Sequence, residues 1–188
     1  MLHLERLTPD GIDVFTELLG GSEFGGCFCA VWTAHGPDWV LRCGDPARPN
    51  LEVARRRVDA GEHVGFLVRE GGDTVAWTGA GPKKGLPLLA TKLGSRLSPA
   101  DADIWSIGCI AVRQDRRGTA LPQKIVAAVA ELARNAGARA LEAYPTRPWD
   151  EPRSYRGSHR MYELLGFQER GAERDGATEI LLMRLDLG

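Results

Sequence analysis

Nothing in this chain of 188 residues approaches the run of about 20 apolar residues that a membrane-spanning helix needs. An excess of one charge is also lacking. Lys plus Arg number 24 and Asp plus Glu 25, for a formal net charge of -1, so no long-range pull toward nucleic acid or an anionic membrane is expected. Cysteine is sparse, with four residues, too few for a disulfide framework at this length. Residues 1–6 hold no cationic stretch followed by an apolar one, so a secretory signal is not expected and a cytoplasmic location is. Aromatic residues make up only 7% and do not interleave with basic ones into an RNA-reading surface. What remains is 43% hydrophobic, with Gly 23 and Pro 11 but no low-complexity tract. Such a chain suits a single domain, 1–188, with a full core.

The local patterns alternate between the two periodicities. Residues 2–7 read as a short strand. Thr8-Pro9-Asp10 starts a helix, with Thr8 as N-cap and Pro9 in the first turn; Val14, Phe15, Leu18 and Leu19 form its stripe and Gly20-Gly21 its stop. Residues 22–49 show no clear period. Asn50 is placed to cap a second helix that ends at Gly61. From His63 the chain reads as extended, and Glu70-Gly71-Gly72-Asp73 is the turn of a hairpin. Residues 82–102 are a long connection, with a short helix expected at 88–93. Residues 104–112 are nearly continuous in apolar side chains and therefore read as a central strand, with Gly108 marking a bulge or a close backbone approach. A helix at 122–136 follows, then a strand at 138–144, a short helix around Met161, Leu164 and Leu165, and two final strands. No internal repeat or hydrophilic linker divides the chain. The fold class is mixed α/β with a largely antiparallel sheet.

The strand, arginine-rich turn and helix of residues 104–136 form the unit that carries chemistry. A helix start leaves about four amides without intrahelical partners and a partial positive charge, which suits an anion such as a phosphate. Arg113, Arg116 and Arg117 add charge there, although a solvated corner would read the same way. The order Ile110-Ala111-Val112, then Arg117-Gly118, then helix, strand and Met161-Tyr162-Glu163-Leu164-Leu165-Gly166-Phe167 resembles the GCN5-related N-acetyltransferase (GNAT) superfamily over residues 63–185. Three further segments resemble a poorly characterised branch of it: Gly26-Cys27-Phe28-Cys29-Ala30-Val31-Trp32, Trp105-Ser106-Ile107-Gly108-Cys109 and Glu142-Ala143-Tyr144-Pro145.

The resemblance implies a mainly antiparallel sheet of six to seven strands flanked by helices on both faces, and acetyl-coenzyme A as co-substrate with no metal. It implies that Arg116, Arg117, Gly118, Thr119, Ala120 and Leu121 surround the pyrophosphate, through amides that share one hollow. It also implies that a gap between the strands near Ile104 and Ala140 admits the pantetheine arm. Amides near Ile110, Ala111 and Val112 would hold the thioester carbonyl as charge develops. Tyr162 would protonate the departing thiolate. Glu142 or Asp103 would take the amine's proton through water, although each also reads, and reads better, as a structural or exposed carboxylate. The acceptor implied is a primary amine of a small molecule or protein, not nucleic acid, and homodimers occur in the superfamily. The motif's glycine positions fall on Ala120 and Pro122. Pro122 has no N–H and Ala120 adds a methyl, so weak cofactor binding is expected. A non-catalytic acyl-CoA-binding or partner-binding module of the same fold is the alternative.

The remaining candidates have bland readings beside the functional ones. Cys27, Cys29, His35 and Cys43 have ligand chemistry, but Cys-x-Cys is tighter than usual zinc spacing, and buried thiols are the preferred reading. Trp32, Trp39, Trp77 and Trp105 suit either an acceptor pocket or the core. Arg55-Arg56-Arg57 and Lys83-Lys84 read as solvated surface, and His159 as an exposed helical histidine.

Overall fold

The computed structural model describes residues 1–33, 37–87, 89, 103–149 and 151–188. Among them are eight strands: β1 (Leu2–Arg6), β2 (Phe66–Glu70), β3 (Asp73–Pro82), β4 (Ile104–Val112), β5 (Ala140–Ala143), β6 (Thr146–Arg147), β7 (Gln168–Asp175) and β8 (Thr178–Asp186). The α-helices are α1 (Ile12–Leu19), α2 (Ala30–Thr33), α3 (Pro49–Asp59), α4 (Leu121–Asn135) and α5 (His159–Leu164). The strands form one sheet in the order β1-β2-β3-β4-β5-β8-β6, with β7 also paired to β8. Every pairing is antiparallel except β4 with β5. The count exceeds the expected six to seven because β6 is two residues long, too short to leave a period in the sequence.

Strand β4 is buried at every position, which explains its unbroken apolar run. Its alternation divides the core. Ile110 and Val112 face a layer with Ile125, Val129 and Ala133 of α4, where burying Ile125 and Val129 contributes roughly 2 kcal/mol each. Cys109 and Ala111 face the opposite layer, with Phe15 of α1, Trp32 of α2 and Leu51 and Val58 of α3. Gly71 and Gly72 both adopt positive φ in the β2–β3 turn, as a tight hairpin requires.

The N-terminal half departs from its expected boundaries. Pro9–Gly11 is a 3-10 turn whose Thr8 side chain makes no cap, and α1 begins at Ile12. Asn50 is not the cap of α3; Arg48 stands there in a left-handed conformation. Buried Asn50 instead accepts from Arg42 Nε at 3.0 Å and donates to the carbonyls of Trp39 (3.0 Å) and Gly26 (3.2 Å). It therefore ties down the loop that showed no period. The helix expected at 88–93 falls almost wholly outside the described residues.

Candidate active site

The parallel ladder between β4 and β5 joins Ile104 to Ala140, Trp105 to Leu141, Ser106 to Glu142 and Ile107 to Ala143, and ends there. The strands therefore meet at Ile104 and Ala140, where a gap was expected. The opening begins beyond Ile107 and Ala143. A register shift opposite Gly79 and Ala80 makes Gly108 a bulged residue. A Cβ built on Gly108 would lie 2.8 Å from the Trp32 ring, so only glycine lets that indole cover the bulge.

Beyond the bulge, Arg113 N–H donates to Val75 of β3 at 3.0 Å. Antiparallel backbone groups alternate in direction, so the Ala111 amide also faces β3, while Ile110 and Val112 face the open edge. The Val112 carbonyl on that edge accepts from Arg117 Nε at 3.0 Å. Of the residues expected to hold a carbonyl oxygen, Ile110 directs its amide to the opening and Ala111 does not.

The turn after β4 is not a single row of inward amides. Arg116 N–H donates to the Arg113 carbonyl (2.9 Å) and Arg117 N–H to that of Gln114 (3.3 Å). Leu121 N–H is capped by Thr119 Oγ1 at 3.2 Å. The amides of Gly118, Thr119, Ala120 and Gln123 make no hydrogen bond among the described residues, and Gly118, Thr119 and Ala120 are exposed. Gly118 has φ +71° with open space where a Cβ would stand, so its conformation demands glycine while its surface stays clear. The arginines are engaged with other side chains. Arg113 forms a two-point pair with Asp115, Arg116 pairs with Glu70, and Arg117 lies over the Phe24 ring with Glu23 3.8 Å away. An anion here would be held by main chain rather than by guanidinium.

Tyr162 is fully buried, and its hydroxyl donates to the Arg156 carbonyl at 2.9 Å. Burial first, and the nearby Cys109 second, push the phenol well above its ordinary range, so it keeps its proton at neutral pH. Helix α5, which carries it, is capped by the Ser158 hydroxyl accepting from Met161 N–H at 3.2 Å. Gly157 packs so closely that an added Cβ would meet the Tyr162 hydroxyl at 2.9 Å.

Glu142 is also fully buried, within a polar cluster that spans four strands. Lys83, just past β3, is itself fully buried and reaches Oε2 at 3.0 Å. Arg184 of β8 reaches Oε1 at 2.5 Å, across the register that pairs these two residues. Tyr144 donates to Oε2 at 2.8 Å and shares a 2.9 Å hydrogen bond with Ser106 of β4. Burial, then the Glu142 charge, raise the Tyr144 phenol well above its usual range. Both oxygens of Glu142 are thus filled, and a proton could reach one only after a partner left. Lys83 corrects the surface reading of Lys83-Lys84, because sequence gives no sign that its ammonium is needed inside. Asp103, the other carboxylate considered, is half exposed and pairs with Arg139 at 2.7 Å.

The other candidates disperse. Trp32 and Trp77 are buried on the α1–α3 side, whereas Trp105 lies on the α4 side, stacked on Phe66 at 6.4 Å; the four indoles line no common pocket. The four cysteines are free thiols. Burial raises Cys27 to about 12, and Cys29 lies 4.0 Å from Cys109, sulfur to sulfur. His35 lies outside the described residues, and among those described no three His, Cys, Asp or Glu side chains are placed to share a metal. His159 lies 3.6 Å from Glu169 and 3.8 Å from Glu163. Arg55 pairs with Glu52 at 3.7 Å, while Arg57 donates to the Glu62 carbonyl, so the arginine run does not converge on one ligand.

One feature had no sequence signal. Arg156 is 5% exposed, and its guanidinium stands 5.1 Å from the Trp32 ring centre and 5.7 Å from that of Tyr155.

This architecture has close counterparts. In solved structures it is similar to a protein from Desulfovibrio desulfuricans assigned to the GNAT family as an acetyltransferase, with TM-score 0.62, 18% identity, and coverage of 100% of this chain and 99% of that one. It is similar to the aminoglycoside acetyltransferase AAC(6')-Ib bound to ribostamycin and coenzyme A, with TM-score 0.63, 19% identity, and coverage of 98% and 93%. The Drosophila melanogaster polyamine N-acetyltransferase gives TM-score 0.56 and 15% identity, with full coverage of both chains. At these identities the likeness shows the fold. No curated protein matches the sequence. The model of the Acetyltransferase (GNAT) family matches residues 30–167, from the indole-bearing helix α2 through β4, α4 and α5, and by that match the chain belongs to the GNAT acetyltransferase family.

Proposed function

We propose that the protein is an acetyl-CoA-dependent N-acetyltransferase that transfers the acetyl group directly to a primary amine of a small molecule. The observation that carries this reading is the end of the β4–β5 ladder at Ile107 and Ala143 together with the free, exposed amides at Gly118, Thr119 and Ala120 in the turn that follows β4. A diphosphate fits there as an acceptor of those amides at the head of α4, whose dipole favours an anion. Pro122 contributes no donor, and Leu121 N–H would have to give up Thr119. These two losses support a modest rather than tight hold on the co-substrate.

In this reading the amine nitrogen bonds to the thioester carbon while the Ile110 amide holds the carbonyl oxygen. The carbon–sulfur bond then breaks, the sulfur takes the Tyr162 proton once that hydroxyl leaves the Arg156 carbonyl, and the nitrogen loses its proton to water. Glu142 has a positioning role: its filled oxygens hold Lys83, Tyr144 and Arg184 in place across the strands below the opening. The four free thiols suit the reducing cytoplasm. The Cys-x-Cys segment, with Cys29 against Cys109, supports membership of the branch that its sequence resembles.

Thiol release from acetyl-CoA with a panel of amines tests the reading. Turnover is expected with at least one small amine. Tyr162→Phe is expected to lower kcat by about 10²-fold while coenzyme A affinity is retained. Coenzyme A binding without turnover of any amine would favour the non-catalytic alternative.

A further inference from the structure

We infer that Arg156 is the specificity-determining residue of the acceptor site, and that the acceptor is an amine which also carries a carboxylate, as a free amino acid does. The inference rests on the acetyltransferase reading and extends it to the acceptor's chemistry. Arg156 is 5% exposed, yet no carboxylate among the described residues pairs with it. Its Nη1 has no hydrogen-bond partner, and its Nε reaches only the Tyr155 hydroxyl, at 3.4 Å. The other buried cation among the described residues is not left so: Lys83 holds Glu142.

Removing a guanidinium from water without a counter-charge is costly. The Trp32 and Tyr155 rings offset part of that cost through their faces, but an aromatic face accepts no directed N–H bond. A second donor without an acceptor belongs to the same group of side chains: Trp32 Nε1 is buried and unbonded. Two unsatisfied donors on touching side chains call for an anionic acceptor, and a guanidinium suits a carboxylate through its planar fork.

The location fits substrate rather than scaffold. Trp32 covers the bulge at Gly108, and the 3-10 segment Glu151–Arg156 packs against β4. The Arg156 carbonyl accepts the Tyr162 hydroxyl. Arg156 thus stands between the bulged strand and the residue assigned to protonate sulfur. A carboxylate bound at its side chain would hold an attached amine at the opening.

The test compares the proteinogenic amino acids with their α-carboxamides, which replace the negative charge by a neutral amide of similar size, with rates referred to the free-amine fraction of each. Acetylation kinetics are measured for the wild type and for Arg156→Gln and Arg156→Lys, alongside calorimetric binding of the same pairs to the coenzyme A-loaded protein. For at least one pair, the wild type is expected to favour the carboxylate by about tenfold or more in kcat/KM, mainly through KM. Arg156→Gln should abolish that preference and Arg156→Lys should restore part of it. Turnover of amines with no carboxylate preference in the wild type, or a preference unchanged in Arg156→Gln, overturns the inference and leaves the acetyltransferase reading standing. Carboxylate-dependent binding that is lost in Arg156→Gln, with no turnover of any amine, overturns that reading and leaves the anion site. A wild type without carboxylate preference overturns the inference by itself, and where Arg156→Gln fails to fold, a weakened preference in Arg156→Lys supports the assignment and an unchanged one overturns it.

Discussion

At the scale of single residues, the buried polar side chains divide by whether their needs are met. His63 is 2% exposed, and both ring nitrogens lack partners. It packs edge-on against Phe15 at 5.7 Å and lies 5.6 Å from Trp77. Burial, and secondarily the Arg57 charge, lower it to about 4, against about 6.5 in an unfolded chain. Between those values the unfolded chain binds more protons, so stability is complete above about pH 6.5 and falls as the pH drops toward 4. The loss over that window is about 3 kcal/mol. Urea unfolding from pH 7.5 to 4 should show it, and His63→Leu should flatten that part of the profile.

Gly108 and Gly118 show how one residue type serves two ends. At Gly118 the positive φ requires glycine, whereas at Gly108 the requirement is space for Trp32. Gly108→Ala should push the indole off the bulge and destabilise the protein by about 1–3 kcal/mol through overpacking. Equilibrium unfolding reads the stability, and tryptophan fluorescence reads the displaced ring. The bulge was legible in the sequence because an isolated glycine interrupted an apolar strand. Its indole cover was not, because Trp32 lies 76 positions away along the chain.

At the scale of elements, the polar cluster joins β3, β4, β5 and β8 through Lys83, Ser106, Glu142 and Arg184. Lys83→Met leaves Glu142 in the interior with one cation fewer, at an expected cost of about 3–5 kcal/mol. Adding Glu142→Gln should cost less than the sum of the two single changes, because the charge left stranded has gone. Chemical denaturation of the three variants measures that coupling. Boundaries were read well where period and stop signals agreed: β4 covers the expected 104–112, and Gly137 at φ +78° follows α4. The segment 22–49 gave no period because local turns organise it. Gly25, Gly26, Phe28 and Cys29 all have positive φ, and Asn50 holds the loop from a distance.

For the whole molecule, the layers place the opening between α4 on one side and α1–α3 on the other. Acetyl-CoA binding should slow hydrogen exchange at the Gly118, Thr119 and Ala120 amides. At a concentration a hundredfold above Kd it should add about 2.7 kcal/mol of stability, a rise of about 5–10 °C in Tm for a chain of this size. Unchanged exchange at those three amides, with ligand bound elsewhere, would move the pyrophosphate site. Among the described residues no helix is long and apolar enough to cross a membrane.

The sequence by itself determined the strand–turn–helix at 104–136, the late Tyr-x-x-x-Gly-Phe and, through them, the family. These signals are local in the chain, carried by periodicity, glycine and proline over a few residues. Tertiary structure decided which amides remain free, that Lys83 lies inside against Glu142, and that Arg156 has aromatic neighbours but no counter-charge among the described residues. Those outcomes depend on pairings between residues far apart in sequence, where burial changes the worth of a charge and no short window of residues records it.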